Sequence, residues 1–330
     1  MNSARGLTTL LLIFSLLSQG QITYDDPVQF SSDLPEIQNI IALPAPDVLR
    51  LSEQDALDQN DKSVPFRFGT PIAFSKNILE DAPSQIQEGW IWELAITAKN
   101  AKSLNFNFDT YVLPEGAQLT LYDKSNPSDF LGPFTSFNNK TDGKFSTFLL
   151  FTDTVVLRYF VPKYAKDSGR LKLGSVVYGY REFPSGPSIF GESGSCNVNV
   201  ACPEGNTWRN QIRSVVMILA ANNSRICSGT LVNNTSEDGT PYVLTANHCP
   251  IASNNVFVFN YNSPTCSPPT EGPTNFTISG CSIKANNSSF AASDFKLLEL
   301  SSKPPSSFDV YYAGWSNVNA PPQSSACIHH

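Results

Sequence analysis

At 330 residues the chain exceeds what one ordinary core of about 150 residues needs, so it holds two folded units or one unit behind a long leading region. The hydrophobic share is 41% against 15% charged, which excludes a disordered chain. The 24 Pro and 19 Gly predict short elements and many turns, a β-rich composition. A net charge of −7 and a pI near 5.0 exclude a phosphate-backbone partner, which takes clustered Lys and Arg.

In chain order, Arg5 precedes the apolar run Leu7 to Leu17, and Ser18-Gln19-Gly20 offers small residues for a cut. Residues 1–20 therefore read as a signal peptide and the protein as secreted. A run of about 11 residues is too short to span a bilayer, which needs about 20, so no membrane association is expected after signal removal. Residues 21–88 are polar and Pro-punctuated, with an acidic bias from Glu53 to Asp61, and read as extended or irregular chain with little chemistry. From Gly89 the pattern changes to short alternating runs: Trp90–Ile96, Ser103–Phe108, Gln118–Tyr122, Phe145–Phe151, Thr154–Phe160 and Leu171–Tyr178. Pro-Glu-Gly, Asn-Pro and Asp-Gly turns part them, which predicts an antiparallel β-sandwich over 89–190. Trp90 and Trp92 offer a binding face or, for one of them, a core ring. Pro184-Ser185-Gly186-Pro187-Ser188 marks the domain boundary.

All 7 Cys lie from Cys196 to Cys327, so the cysteine map agrees with that boundary. Beyond it the strands predicted are Ser214–Ala220, Ile226–Asn233, Tyr242–Ala246, Val256–Tyr261, Phe276–Ile283, Phe295–Leu300 and Val310–Trp315, a barrel or sandwich spacing. A helical turn is expected between Cys202 and Arg213. The odd cysteine count, with the sequence stopping three residues after Cys327, leads us to expect further C-terminal chain.

Three His only, His248, His329 and His330, narrow the search for a general base. His248 follows the apolar strand Tyr242-Val243-Leu244 and is pinned by Cys249, as a base of fixed orientation requires. Three segments occur in order: Cys227-Ser228-Gly229-Thr230-Leu231-Val232, Thr245-Ala246-Asn247-His248-Cys249 and Asp294-Phe295-Lys296-Leu297-Leu298. They resemble the trypsin-like serine peptidases. Ser193-Gly194-Ser195-Cys196-Asn197, Cys202-Pro203-Glu204-Gly205, Leu231-Val232-Asn233-Asn234-Thr235 and Ala313-Gly314-Trp315 are more closely similar to the secreted bacterial lysyl endopeptidases, over residues 191–330.

The resemblance implies an all-β protein: a β-sandwich propeptide before a truncated trypsin-like double β-barrel, comprising the first barrel and the start of the second. It implies that His248 takes the proton of an attacking serine and that Asp294 orients the imidazole. It implies the disulfides Cys227–Cys249 and Cys202–Cys266. Cys281 and Cys327 are left to pair with each other, and Cys196 is left without a partner. The family's nucleophile follows the Gly-Trp strand and the His-His pair, so it is expected beyond His330, and the chain as it stands is expected to be inactive. Ser193 precedes His248 and is set aside for that role.

The resemblance further implies protein or peptide substrates cut after Lys, the propeptide as a partner, and a monomer at full length. No cofactor and no metal are expected, because Cys327, His329 and His330 are too crowded to form a tetrahedral set. The rival reading is a secreted binding or adhesion protein on a degenerate peptidase fold.

Overall fold

The computed structural model describes residues 37, 39–58, 61, 64–181, 197–221, 224–267, 272–287, 293–318, 320 and 323–330. The signal peptide, the Pro184–Ser188 boundary, Ser193 and Cys196 lie outside them. In chain order the first part runs β1 (Ile40–Ala42), α1 (Val48–Asp58), β2 (Phe66–Arg67), β3 (Gly69–Asn77), β4 (Ser84–Gln85), β5 (Gly89–Thr97), β6 (Ser103–Val112), β7 (Gln118–Asp123), β8 (Phe130–Phe134), β9 (Phe145–Ser146), β10 (Thr154–Pro162) and β11 (Arg170–Gly179). The second part runs α2 (Arg209–Ile212), β12 (Val215–Leu219), β13 (Ser224–Val232), β14 (Tyr242–Thr245), β15 (Val256–Phe259), β16 (Thr277–Ser279), β17 (Cys281–Asn287) and β18 (Phe295–Leu300). The protein is all-β.

Among the described residues the first part forms two facing sheets, β1-β5-β10-β7-β8 with β4 beside β5, and β3-β11-β6-β9. Aromatic side chains fill the space between them: Trp92 lies 5.8 Å from Tyr159 between ring centroids, and Tyr111 stacks on Phe145 at 4.5 Å. Trp92 is thus a core ring, its Nε1–H donating to the Asp81 carbonyl at 2.9 Å.

Residues 21–88 are not irregular throughout, which corrects the sequence reading. From Ile40 onward they contribute β1 to β4 and α1, and β3 alternates inward and outward side chains along nine residues. Pro71 hides that strand from a sequence reading, yet β3 sits at the edge of its sheet, where a missing N–H costs no ladder bond. Three other runs are cut short. Phe145–Phe151 pairs regularly only at β9, Val310–Trp315 reduces to one bridge between Ala313 and Val232, and Phe276–Ile283 divides at Gly280. Gly280 has φ +95°, which a side chain rarely adopts.

The second part forms one sheet, β16-β15-β12-β13-β14-β18-β17 with β2 added beside β13, curled into a half-barrel. β12 (Val-Val-Met-Ile-Leu) and β15 (Val-Phe-Val-Phe) show no polar alternation because both their faces are covered. Val216, Ile218, Phe257 and Phe259 point into the barrel with Leu231, Val243 and Leu298. Met217, Leu219, Val256 and Val258 join the core of the sandwich.

Polar contacts fix that docking. Asn107 Nδ2 donates to the Ala221 carbonyl at 2.9 Å, Asn254 Nδ2 to Ser146 Oγ at 2.9 Å, and Ser279 Oγ to the Ser146 carbonyl at 2.7 Å. The Ser253 hydroxyl donates to Asp142. Two guanidinium groups lie over the ring of Phe66 of β2, Arg181 at 4.1 Å and Arg225 at 5.4 Å from its centroid. Lys140 enters the notch left by the missing side chain of Gly280, where an added Cβ would lie 2.1 Å from its Nζ.

Candidate active site

The site lies where β14 ends and β18 begins, beside the middle of β13. β14 pairs with β13 through Thr230↔Leu244 and with β18 through Thr245↔Lys296, so the turn after β14 faces the residues before β18. Gly229 lets β13 and β14 approach: a Cβ there would come within 2.6 Å of Val243 Cγ1. Thr245 Oγ1 donates to the Ser228 carbonyl at 2.8 Å, tying the strand end to the cysteine-bearing strand.

His248 and Asp294, 46 residues apart, are brought together twice over. The His248 backbone N–H donates to Asp294 Oδ1 at 2.9 Å, and His248 Nδ1 bonds the other oxygen, Oδ2. These donors, the ring first and then the backbone N–H groups of His248 and Asn247, hold the Asp294 carboxyl below its ordinary range, against a smaller opposing effect of burial. Asp294 therefore stays ionised and accepts from His248 Nδ1–H, which leaves Nε2 as the ring nitrogen that the carboxylate does not engage. The Asp294 side chain is 27% exposed and the imidazole 58%, so the pair is open to a reactant from one side.

Disulfides Cys227–Cys249 and Cys202–Cys266 are formed, with Cα separations of 6.2 and 4.6 Å. In the chain-entropy account the first, spanning 22 residues, stabilises by roughly 3 kcal/mol, and the second, spanning 64, by about 4 kcal/mol. The first also anchors the residue next to His248. Cys281 and Cys327 do not pair, which corrects the sequence expectation: both are free thiols, the first buried and the second exposed. Cys281 opens β17 with its Sγ 3.6 Å from the Ala252 carbonyl. Cys327 belongs to the tail that His330 pins to Ser228 on β13. β13 lies three strands from β17 in the sheet, and disulfide geometry demands Cα atoms within about 7 Å.

His329 is exposed, whereas the His330 ring is enclosed beside Tyr261 at 5.6 Å between centroids. Burial pushes the His330 imidazole down to about 4, aided by the Arg225 charge and opposed by a hydrogen bond to the Val215 backbone. The two do not gather with Cys327 into a ligand set among the described residues. No serine hydroxyl of the described residues bonds His248, and Ser193 lies outside them.

Sequence reasoning missed Lys296. It is 7% exposed and its Nζ donates to the Cys249 carbonyl at 2.7 Å, fastening the turn that carries His248 to β18. The signal was present: in Phe295-Lys296-Leu297-Leu298-Glu299-Leu300 the lysine shares the inward face with Leu298 and Leu300. A charge on the apolar face of a strand needs an acceptor, and the Cys249 carbonyl is that acceptor.

Residues 190–330 match the family model of the lysyl endopeptidase C-terminal domain. The match covers a little under half of the chain, and that part is similar to the lysyl endopeptidases. No helix among the described residues is long and apolar enough to cross a membrane.

Proposed function

We propose that the chain is the precursor of a secreted serine endopeptidase that hydrolyses peptide bonds in proteins on the carboxyl side of lysine. The observation that carries this reading is the His248–Asp294 pair, in which one carboxylate grips both the ring and the backbone of the same histidine at the mouth of the half-barrel. The similarity of residues 190–330 to the lysyl endopeptidase C-terminal domain supports a peptidase reaction.

In this reaction His248 Nε2 accepts the proton of a serine hydroxyl as that oxygen attacks the scissile carbonyl, and later returns it to the leaving amine. Asp294 keeps the ring in the Nδ1–H tautomer and stabilises the imidazolium. The Cys227–Cys249 bond and the Lys296 to Cys249 hydrogen bond hold the turn still, so little reorganisation accompanies proton transfer. The sandwich serves as a propeptide: it covers the outward face of β12 and β15 and grips Ser253 and Asn254, a few residues after His248.

The test is hydrolysis of Lys-containing peptide esters by the secreted product of the complete gene. His248→Ala and Asp294→Asn are each expected to lower kcat/KM by at least about 10³-fold. Comparable turnover by either variant overturns the assignment. A folded, secreted product with no hydrolysis of any peptide turns the reading to a binding protein.

A further inference from the structure

Cys227, His248 and Cys249 each present one ligand atom, and the three atoms lie within 4.8 Å of one another. With the two sulfurs joined they cannot hold an ion. We propose that reduction of the Cys227–Cys249 disulfide converts this corner into a site for a thiophilic divalent cation, Zn²⁺ above all, bound by two thiolates and the His248 imidazole.

Four features beyond proximity support the site. Ligands on one tetrahedral zinc lie about 3.5 to 4 Å apart, so once the S–S bond is cut the two sulfurs have to part from bonding distance, while the histidine nitrogen, already within 4.8 Å of both, has only a short way to close. The frame does not depend on the S–S bond alone: Thr230↔Leu244 pairing, the Thr245 to Ser228 hydrogen bond and the Lys296 to Cys249 hydrogen bond hold both cysteine backbones. Asp294 already occupies Nδ1, which is how a carboxylate orients a histidine that binds zinc through its other nitrogen. The ring is more than half exposed, so a cation has an approach and a fourth position remains for water. Two sulfurs and one imidazole select zinc over magnesium or calcium, which take oxygen.

The chemistry balances with a water-soluble phosphine as reductant. Phosphorus gives two electrons to the disulfide and takes the oxygen of one water, whose two protons end on the Cys227 and Cys249 sulfurs. Binding one Zn²⁺ then releases those two protons to solvent. A cation on His248 also occupies the nitrogen assigned to proton transfer; that consequence rests on the proposed peptidase reading, whereas the binding does not.

The experiment uses the precursor carrying Cys196→Ser, Cys281→Ser and Cys327→Ser, which removes the three cysteines outside the two disulfides described, titrated with Co²⁺ as a spectroscopic stand-in for zinc and then with Zn²⁺. After phosphine treatment one Co²⁺ per chain is expected, with sulfur-to-cobalt charge-transfer absorption that Zn²⁺ abolishes; the oxidised protein shows neither. In that background His248→Ala is expected to weaken binding at least tenfold and change the spectrum. Asp294→Asn is expected to weaken it by about 10- to 100-fold. Unchanged binding in His248→Ala, or in a Cys227→Ser, Cys249→Ser variant, overturns the site and points to Cys202 and Cys266. The same spectrum from urea-unfolded chain, or loss of the β-sheet circular dichroism on reduction, overturns it as well, because the site depends on the folded frame.

Discussion

Replacing Lys140 with Met is expected to stabilise the chain at pH 7 and to lose that advantage at pH 10. The Lys140 head group inverts the usual arrangement of a long charged side chain: Nζ is enclosed and has no hydrogen-bond acceptor among the described residues. It lies against the Gly280 notch and 5.5 Å from the Phe145 ring centroid. Burial lowers its pKa from 10.5 to about 8, against the weaker attraction of Asp142. That difference, about 2.5 units at 1.36 kcal/mol each, makes the buried ammonium cost roughly 3 kcal/mol wherever it is charged in both states. The unfolded chain binds more protons between pH 8 and pH 10.5, so stability rises with pH through that window and the full cost applies below pH 8. Burial holds the neighbouring Cys281 thiol up at about 12, so it stays protonated throughout. Met fills a similar volume without charge but forfeits the ring contact, about 0.5 to 1 kcal/mol, which leaves a gain of about 2 kcal/mol at pH 7. Urea unfolding of both proteins at pH 7 and pH 10 measures the gain and its disappearance. A Met variant less stable at pH 7, or one whose difference from the parent is the same at both pH values, refutes the reasoning.

Other expected outcomes follow from the same packing. His330 is held neutral with its folded value near 4, so stability should fall as pH drops from 6.5 towards 4, by about 3 kcal/mol, and His330→Phe should flatten that slope in urea titrations across this range. Gly280→Ala forces a side chain onto φ +95° and against Lys140, and is expected to cost at least about 1 to 2 kcal/mol in urea unfolding, partly recovered in the Lys140→Ala double variant. Leu298→Ala empties a fully buried position between β14 and β17 and is expected to cost about 2 to 5 kcal/mol in the same assay. Residues 197–330 expressed without the sandwich uncover Met217, Leu219, Val256 and Val258 and should elute as aggregates in size exclusion; a soluble monomer would show that face to be dispensable.

Much of the site was legible in sequence because its parts are local. A strand ending in Thr-Ala-Asn-His-Cys and an Asp set before alternating apolar residues each declare themselves within a few positions. The strands β5, β6, β10 and β11 were equally plain, since period-two alternation between turn residues needs no knowledge of partners. Lys296 was readable too, had its place on the inward face been weighed.

What the sequence could not decide was anything fixed by pairing across long separations. Pro71 looks like a strand breaker until β3 is seen at a sheet edge. β12 and β15 read as continuous apolar runs, but only the folded chain shows that one face lines the barrel and the other is covered by the sandwich. Cys281 and Cys327 are equivalent letters in a list of cysteines; the place of one on β17 and of the other in the tail pinned to β13 keeps them apart. The unusual ionisation of Lys140 and His330 has the same origin. Neither has a local signal, because desolvation depends on which distant surfaces close over a group: the packing of the two units does so for Lys140, and the approach of the tail to β13 and Tyr261 does so for His330.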